Sequence, residues 1–447
     1  MISGLPSRRI IIIGGGVAGM SAAWRLARSG REVLVLEAKA APGGRAGSAP
    51  DPKTGDPVDT GGHIFMGCYT AARSWFREMG TDNLIGVQDR LEAPYSGPKG
   101  ERVVLRASRL PAPFHLLGAL WKLPGMTISG MVKSLGLAAA AIRFKCFDTI
   151  TVTDWADRLG LPSPVRDYIM YPLALAAINE RPDLASALPF AQVIRRMAFG
   201  SGQWSGLAWP RTGLSGLYVE QVRAAVRAAG GDIRTRTSVK TILEQDGRAA
   251  GVRLKGGEEI GASAVVSAVP PWDLVPLVRH ISACSILAER AAKFQPSPIM
   301  TVHLWLDRKI MADAVCGLPG GTFDWVMNLS GMTGSTGSGA QRVCLVRSGA
   351  RELAGKKADE LERLAMRDLK RFAPAGTSVI HRRVVWDSRA TVSLVPGTDT
   401  ARPGPVTPLP GLFLAGDWTQ TRLPATVEGT VSSGMAAAQT LLQAKIA

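Results

Sequence analysis

Residues 10–37 read IIIIGGGVAGMSAAWRLARSGREVLVLE, and this stretch decides the fold. Four consecutive isoleucines, Ile10 to Ile13, form a β-branched run too continuous for a half-exposed strand, so a strand buried on both faces is predicted. A glycine turn follows. From Val17 to Ser29, Met20, Ala23, Trp24 and Ala27 recur at helical spacing, and Gly30 supplies a C-terminal stop. Val33 to Leu36 is a second apolar strand, ending in Glu37. Gly14, Gly16 and Gly19 therefore form G-x-G-x-x-G between a strand and a helix. The first glycine permits the turn, the second lets backbone approach a pyrophosphate, and the third lets helix and strand pack closely. Gly15, Val17 and Ala18 complete the turn and aim the helix N-terminus at the phosphates. Glu37, followed by Ala38, sits where a carboxylate holds both ribose hydroxyls of an adenosine and repels a 2′-phosphate.

Outward from this unit, Pro42-Gly43-Gly44-Arg45 suits a loop wrapped over a dinucleotide, and Asp59-Thr60-Gly61-Gly62-His63 is a second glycine-opened approach to a flat ligand. Regular structure returns over roughly 215–270, with a helix from Leu217 to Ala229, a strand-rich meander containing Val239, and a strand from Ala264 to Val269. It returns again at Leu412, where LFLAGD leads to a helix of small residues from about Ala425 to Leu442. Gly416 and Asp417 there place a carboxylate for a ribityl chain, and Ala425, Thr426 and Val427 bring a helix N-terminus to the flavin. FAD is the cofactor this set implies. The expected architecture is an α/β FAD-binding Rossmann-type domain (1–70, 215–275 and 402–447) with an interleaved α+β substrate domain (71–214 and 276–401).

These motifs resemble the amine oxidase and phytoene desaturase superfamily of flavoproteins. Within it the chain is most similar to the hydroxysqualene dehydroxylases, also called squalene-associated FAD-dependent desaturases. The resemblance rests on Asp59 to His63 with Met66-Gly67-Cys68-Tyr69, Asp154-Trp155, the run Tyr171 to Asn179 with Ala185-Ser186-Ala187, and Trp209 to Ser215. It continues through Arg389-Ala390-Thr391, Arg402 to Thr407, Gly416 to Thr419 and Leu423 to Gly429, nearly the whole chain. Two positions depart from the family pattern: Thr60-Gly61-Gly62-His63 stands where Asn-Gly-Gln-His is usual, and Arg422 where a glycine is usual. By analogy both lie near the flavin ring.

The resemblance implies reductive dehydroxylation of hydroxysqualene to squalene in a bacterial hopanoid pathway, with an apolar isoprenoid substrate and an electron donor that no second glycine fingerprint identifies. His63 is the candidate general acid; its alternative role is to orient the loop or the flavin. Tyr69 and Tyr171 are secondary candidates or core aromatics, and Glu428 is expected to favour the N-terminus of its own helix. Three other readings stay open: a carotenoid or phytoene-type desaturase, an amine oxidase, and a non-catalytic flavin-binding scaffold or redox sensor. Only five tyrosines are available for an amine oxidase's aromatic cage.

Composition frames these readings. At 447 residues, 46% hydrophobic and 20% charged, the chain has the profile of a globular protein of more than one domain. Fifty-three Lys and Arg against 36 Asp and Glu give a net charge of +17, which calls for an anionic partner. No zinc-finger spacing or RNP-type aromatic motif is present, so nucleic acid is not expected. Five scattered cysteines without C-x-x-C argue against a disulfide framework or structural zinc, and no metal site is expected. The apolar N-terminal run is too short for a signal peptide. Segment 102–145 carries Arg102, Arg106, Arg109, Lys122, Lys133, Arg143 and Lys145 with no acidic residue, interleaved with Phe114, Leu116, Leu117, Trp121, Met126, Ile128 and Met131. It reads either as an amphipathic stretch on an anionic bilayer or as a solvated face over a core. The expected location is cytoplasmic, peripheral to the inner face of the cell membrane.

Overall fold

The computed structural model describes residues 9–111, 114–142, 148–199, 206–334 and 341–444. Its nucleotide-binding half is a five-stranded sheet in the order Asp232–Arg234, Val33–Leu36, Ile10–Ile13, Ala264–Ser267, Leu412–Leu414, every pair parallel. Ile10–Ile13 and Val33–Leu36 are buried at every position, as continuous β-branched and leucine runs require when helices cover both faces. The helix Val17–Arg28 packs on one face against the helix Val427–Gln443. Small residues make that contact possible: a Cβ on Gly434 would stand 2.1 Å from Ser21 Oγ and 2.3 Å from the Ala18 carbonyl. Gly19 is under the same constraint from the strand side, because a Cβ there would stand 1.9 Å from the Gly14 oxygen.

The second sheet has seven strands, in the order Val379–Val392, Pro296–Leu306, Gln341–Ser348, Trp325–Asn328, Val315–Gly317, Glu92–Ser96, Arg102–Arg106. Side chains alternate across it with the strand period of two. Val343 and Leu345 join a core with Leu361, Ala365 and Leu369 of the helix Ala358–Leu369, whereas Cys344 and Val346 pack on the opposite face with Val315 and Met327. The segment between the edge strand Arg102–Arg106 and residue 206 is helical, with Ile128–Ile142, Val152–Arg158, Tyr171–Ile178 and Ala187–Phe199 among its described residues. The chain thus builds the α/β domain and the interleaved α+β domain that its motifs call for.

Several boundaries differ from the sequence reading. Leu214–Leu217 is a 3₁₀ turn and the helix starts at Val219, running to Ala228. The last helix starts at Val427, one residue after Thr426, whose hydroxyl caps it by accepting from the Gly429 amide. Segment 102–145 is divided: it opens as the edge strand Arg102–Arg106, and among its described residues Leu117–Trp121 and Ile128–Ile142 are α-helical. Arg102 and Arg106 point outward and pair with Asp313 and Glu92, and Arg143 and Lys145 lie outside the described residues.

Candidate functional site

One cavity of about 1670 Å³ runs from the glycine turn into the space between the two sheets. Its nucleotide end is lined by Gly14, Gly16, Val17, Ala18, Glu37, Ala38, Gly43, Gly44, Arg45 and Val239, and its middle by Gly61, Gly62, His63, Gly416, Asp417, Ala425, Thr426 and Val427. Gly15 and Gly19, expected with them, do not line it. The Gly15 amide is turned away to Glu37 Oε2 at 2.8 Å, and Gly19 sits beneath Gly14. Both shape the turn from behind.

The turn is built to accept a pyrophosphate. Gly14 has φ of 102°, a conformation an L side chain rarely takes. Gly16 is extended, has no side-chain cap and bridges to Gly43, and the first-turn residues Val17 and Ala18 line the cavity, where a helix N-terminus favours an anion. A Cβ on Gly44 would press to 3.0 Å from the Gly16 Cα, so the two backbones form one floor. Glu37 is positioned by the Gly15 amide and by the Lys39 amide at 2.7 Å, one on each carboxylate oxygen, leaving lone pairs toward the cavity. The cradle fits FAD: anion-accepting amides at one end, a held carboxylate for ribose beyond them, and room in the middle for a planar ring.

Asp417 lines the cavity, and both its oxygens also accept from Arg45, Nη1 at 2.8 Å and Nη2 at 2.7 Å, which fixes the carboxylate's orientation. Arg45 also donates to the Ala390 carbonyl at 3.2 Å. Burial disfavours the guanidinium charge, but the Asp417 carboxylate outweighs it and raises the Arg45 pKa. Arg45 and Asp417 form a clasp across the cavity between segments 372 residues apart in sequence.

His63 lines the cavity with Nε2 sealed from solvent and without a hydrogen-bond partner. Burial pushes its pKa below the ordinary histidine value, and the nearby Asp59 carboxylate only partly opposes that. The imidazole is therefore neutral near pH 7 and becomes an acid only on taking up a proton. Tyr69 also lines the cavity, its hydroxyl on Thr426, and burial raises its pKa beyond the usual phenol range. Tyr171 does not line it. Glu428 corrects the expectation most clearly: it caps another helix, accepting from Ala71 N at 3.0 Å and Ala72 N at 2.8 Å at the start of Thr70–Glu78. Arg196 lies 3.6 Å from it.

Of the two departures from the family pattern, Gly62 is at the site and Arg422 is not. A Cβ on Gly62 would stand 2.5 Å from both Met327 Cε and Val346 Cγ2, so these cavity-lining side chains fill the space a glutamine would use. Arg422 is exposed and outside the cavity lining, yet its φ of 57° explains why glycine suits the position.

Beyond His63 the walls turn apolar, with Leu91, Leu120, Leu137, Ile169, Leu173 and Met197 among them. The run ending in Asn179 supplies part of this wall. Asn179 holds φ of 54°, and its amide is spent on Ser297 O, Thr391 Oγ1 and Gly349 N, which ties the helix end to the seven-stranded sheet. Tyr95, Trp325, Met327 and Val346, absent from the sequence-based set, line the same lobe from strands that carry no motif. Among the described residues no His, Cys, Asp and Glu cluster could hold a metal, and the four described cysteines are free and buried.

A model of the flavin containing amine oxidoreductase family matches residues 17–442. A hydroxysqualene dehydroxylase of Rhodopseudomonas palustris is 29% identical over 98% of this chain and 99% of its own length, and one of Sinorhizobium fredii is 27% identical over 97% and 98%. The 15-cis-phytoene desaturase of Arabidopsis thaliana is 25% identical over 97% of this chain and 80% of its own. Among solved structures, cyclohexylamine oxidase from Brevibacterium oxydans superposes with a TM-score of 0.74 at 19% identity, covering 98% of this chain and 99% of its own, a likeness of fold.

Proposed function

Because the chain belongs to the flavin-containing amine oxidoreductase family and is an FAD-dependent oxidoreductase, we propose that it acts in isoprenoid metabolism and reductively dehydroxylates hydroxysqualene to squalene. The observation that carries this reading is the continuity of the cavity, from a cradle that fits FAD past one sealed imidazole into a long apolar lobe. Relatives named hydroxysqualene dehydroxylase, matched along almost their full length, support the same choice.

FAD, when bound and reduced, supplies a hydride. The protein's residues do the rest. The allylic C–O bond breaks with its electron pair leaving on oxygen, His63 gives that oxygen a proton, water departs, and the carbon accepts the hydride. One proton and one hydride enter, and one hydrocarbon and one water leave. Apolar walls keep solvent from the developing cation. The Arg45–Asp417 clasp would hold the Gly43–Arg45 loop in place for FAD, and Tyr69, bonded to Thr426, lines the same cavity.

The second reading, a phytoene-type desaturase, is favoured by relatives bearing that name and by the same apolar lobe. Expression in a host supplied with hydroxysqualene and with phytoene separates the two. Squalene accumulation without a coloured polyene is expected; pigment without squalene overturns the proposal in favour of the desaturase.

A further inference from the structure

The helix Ile128–Ile142 is apolar on both sides, and a surface helix of this kind needs something to cover it. Lys133 is its one charged residue. Gly130, Ser134, Leu137 and Ala141 face inward, and Ser134 and Leu137 reach the cavity. Ile128, Val132, Leu135 and Ile142 recur at helical spacing on the opposite face, with Ile128 75% and Val132 64% exposed. The preceding short helix repeats the division: Ala119 and Leu120 line the cavity while Trp121 is 57% exposed. Of fourteen large hydrophobic residues exposed among the described residues, seven lie between 110 and 142, so the exposure is concentrated rather than scattered.

We propose that this helical pair is the face by which the enzyme sits on an anionic phospholipid surface, and that its substrate passes from the bilayer between the two helices into the cavity. The passage rests on the isoprenoid reading above; the lipid face does not. The helix is about 22 Å long at 15 residues, too short to cross a bilayer core. No helix among the described residues is long and apolar enough to cross a membrane. An interfacial helix is the geometry that remains for it. Charge selects the kind of surface. Arg109 and Lys122 flank the apolar residues, are exposed and make no ion pair among the described residues, and no acidic residue occurs from 102 to 145. A two-fold dimer through this face would bring these cations against their own copies, whereas anionic headgroups would neutralise them.

The test uses the FAD-loaded enzyme and vesicles of phosphatidylcholine with or without one-third phosphatidylglycerol, read by co-sedimentation without substrate. Binding to the phosphatidylglycerol vesicles is expected, weakened by salt, and at least tenfold weaker for Ile128→Ser/Val132→Ser and for Trp121→Ser. Arg109→Glu/Lys122→Glu should lose the preference for anionic lipid. With substrate presented in detergent micelles the serine variants should keep turnover within twofold, and with substrate embedded in vesicles they should lose it tenfold. Unchanged vesicle binding by these variants overturns the proposal, as does equal binding to neutral vesicles. So does a dimer in sedimentation equilibrium that the same serine substitutions dissociate, with no vesicle binding. An enzyme that binds as expected but leaves hydroxysqualene untouched overturns the assigned reaction and leaves the lipid face standing.

Discussion

The Arg45–Asp417 clasp gives the sharpest energetic prediction. It consists of two parallel charge-assisted hydrogen bonds at 2.7 and 2.8 Å, with the Asp417 side chain 5% and the Arg45 side chain 28% exposed. Removing one partner of a buried ion pair costs about 3–5 kcal/mol, largely because the other charge is left without compensation. Arg45 keeps partial access to solvent and its bond to the Ala390 carbonyl, so screening brings the cost to the bottom of that range or below it. Asp417→Asn is accordingly expected to destabilise the apoprotein by about 2 kcal/mol, and Arg45→Met by about 2–3 kcal/mol, since it strands the less exposed carboxylate. The double variant should fall well short of the sum, with a coupling energy of about 1.5–2 kcal/mol. Urea unfolding of the four apoproteins measures this without the added term from cofactor binding. A coupling below about 0.5 kcal/mol would refute the reasoning, because the two residues would then contribute independently.

Other consequences follow from single residues. His63→Gln should lower turnover by about 10²–10⁴ while FAD content stays near one per chain, as expected for loss of a general acid; a loss under tenfold would assign His63 an orienting role. Since burial depresses the His63 pKa, only a falling pH loads it with a proton, so single-turnover rates should rise as pH drops below neutrality and His63→Gln should flatten that profile. His303 is buried, and burial together with Arg342 and Arg383 pushes its pKa down to about 3. Below pH 6.5 the unfolded chain therefore takes up a proton that the folded chain refuses. Stability should fall with acidification by about 1.4 kcal/mol per pH unit from this group, a slope that His303→Leu should remove. Arg422→Gly relieves a left-handed residue at an exposed position and should raise stability by about 0.5–1 kcal/mol in thermal melts; destabilisation would contradict that account.

Much of the parallel sheet was legible because its signals are local. Ile10–Ile13, the glycine turn and Val33–Leu36 lie within 28 residues, and one buried run dictates the next. Much of the cavity lining was legible for a related reason, since glycines report where backbone must approach something. What the sequence hid is long-range. Nothing near Glu428 says that its carboxylate caps a helix 357 residues earlier, and nothing near Asp417 says that Arg45 takes both its oxygens. Gly15 is silent for the same reason, its amide being claimed by Glu37. The edge strand Arg102-Val103-Val104-Leu105-Arg106 was readable from its alternation, exposed at both arginines and buried at Val103 and Leu105. A count of basic residues across 102–145 obscures that period by merging a strand with two helices. The apolar lobe was legible only in part, because Tyr95, Trp325 and Met327 reach it from strands whose pairing brings together segments over 200 residues apart.

In the proposed reaction this cavity couples reduced flavin to removal of a hydroxyl from an isoprenoid. The most direct test is anaerobic: the holoenzyme is reduced with dithionite, hydroxysqualene is added in detergent, and flavin absorbance is followed while the organic extract is analysed by mass spectrometry. Flavin reoxidation with squalene formed one-for-one is expected. Flavin that stays reduced, with hydroxysqualene recovered intact, would contradict the proposed reaction.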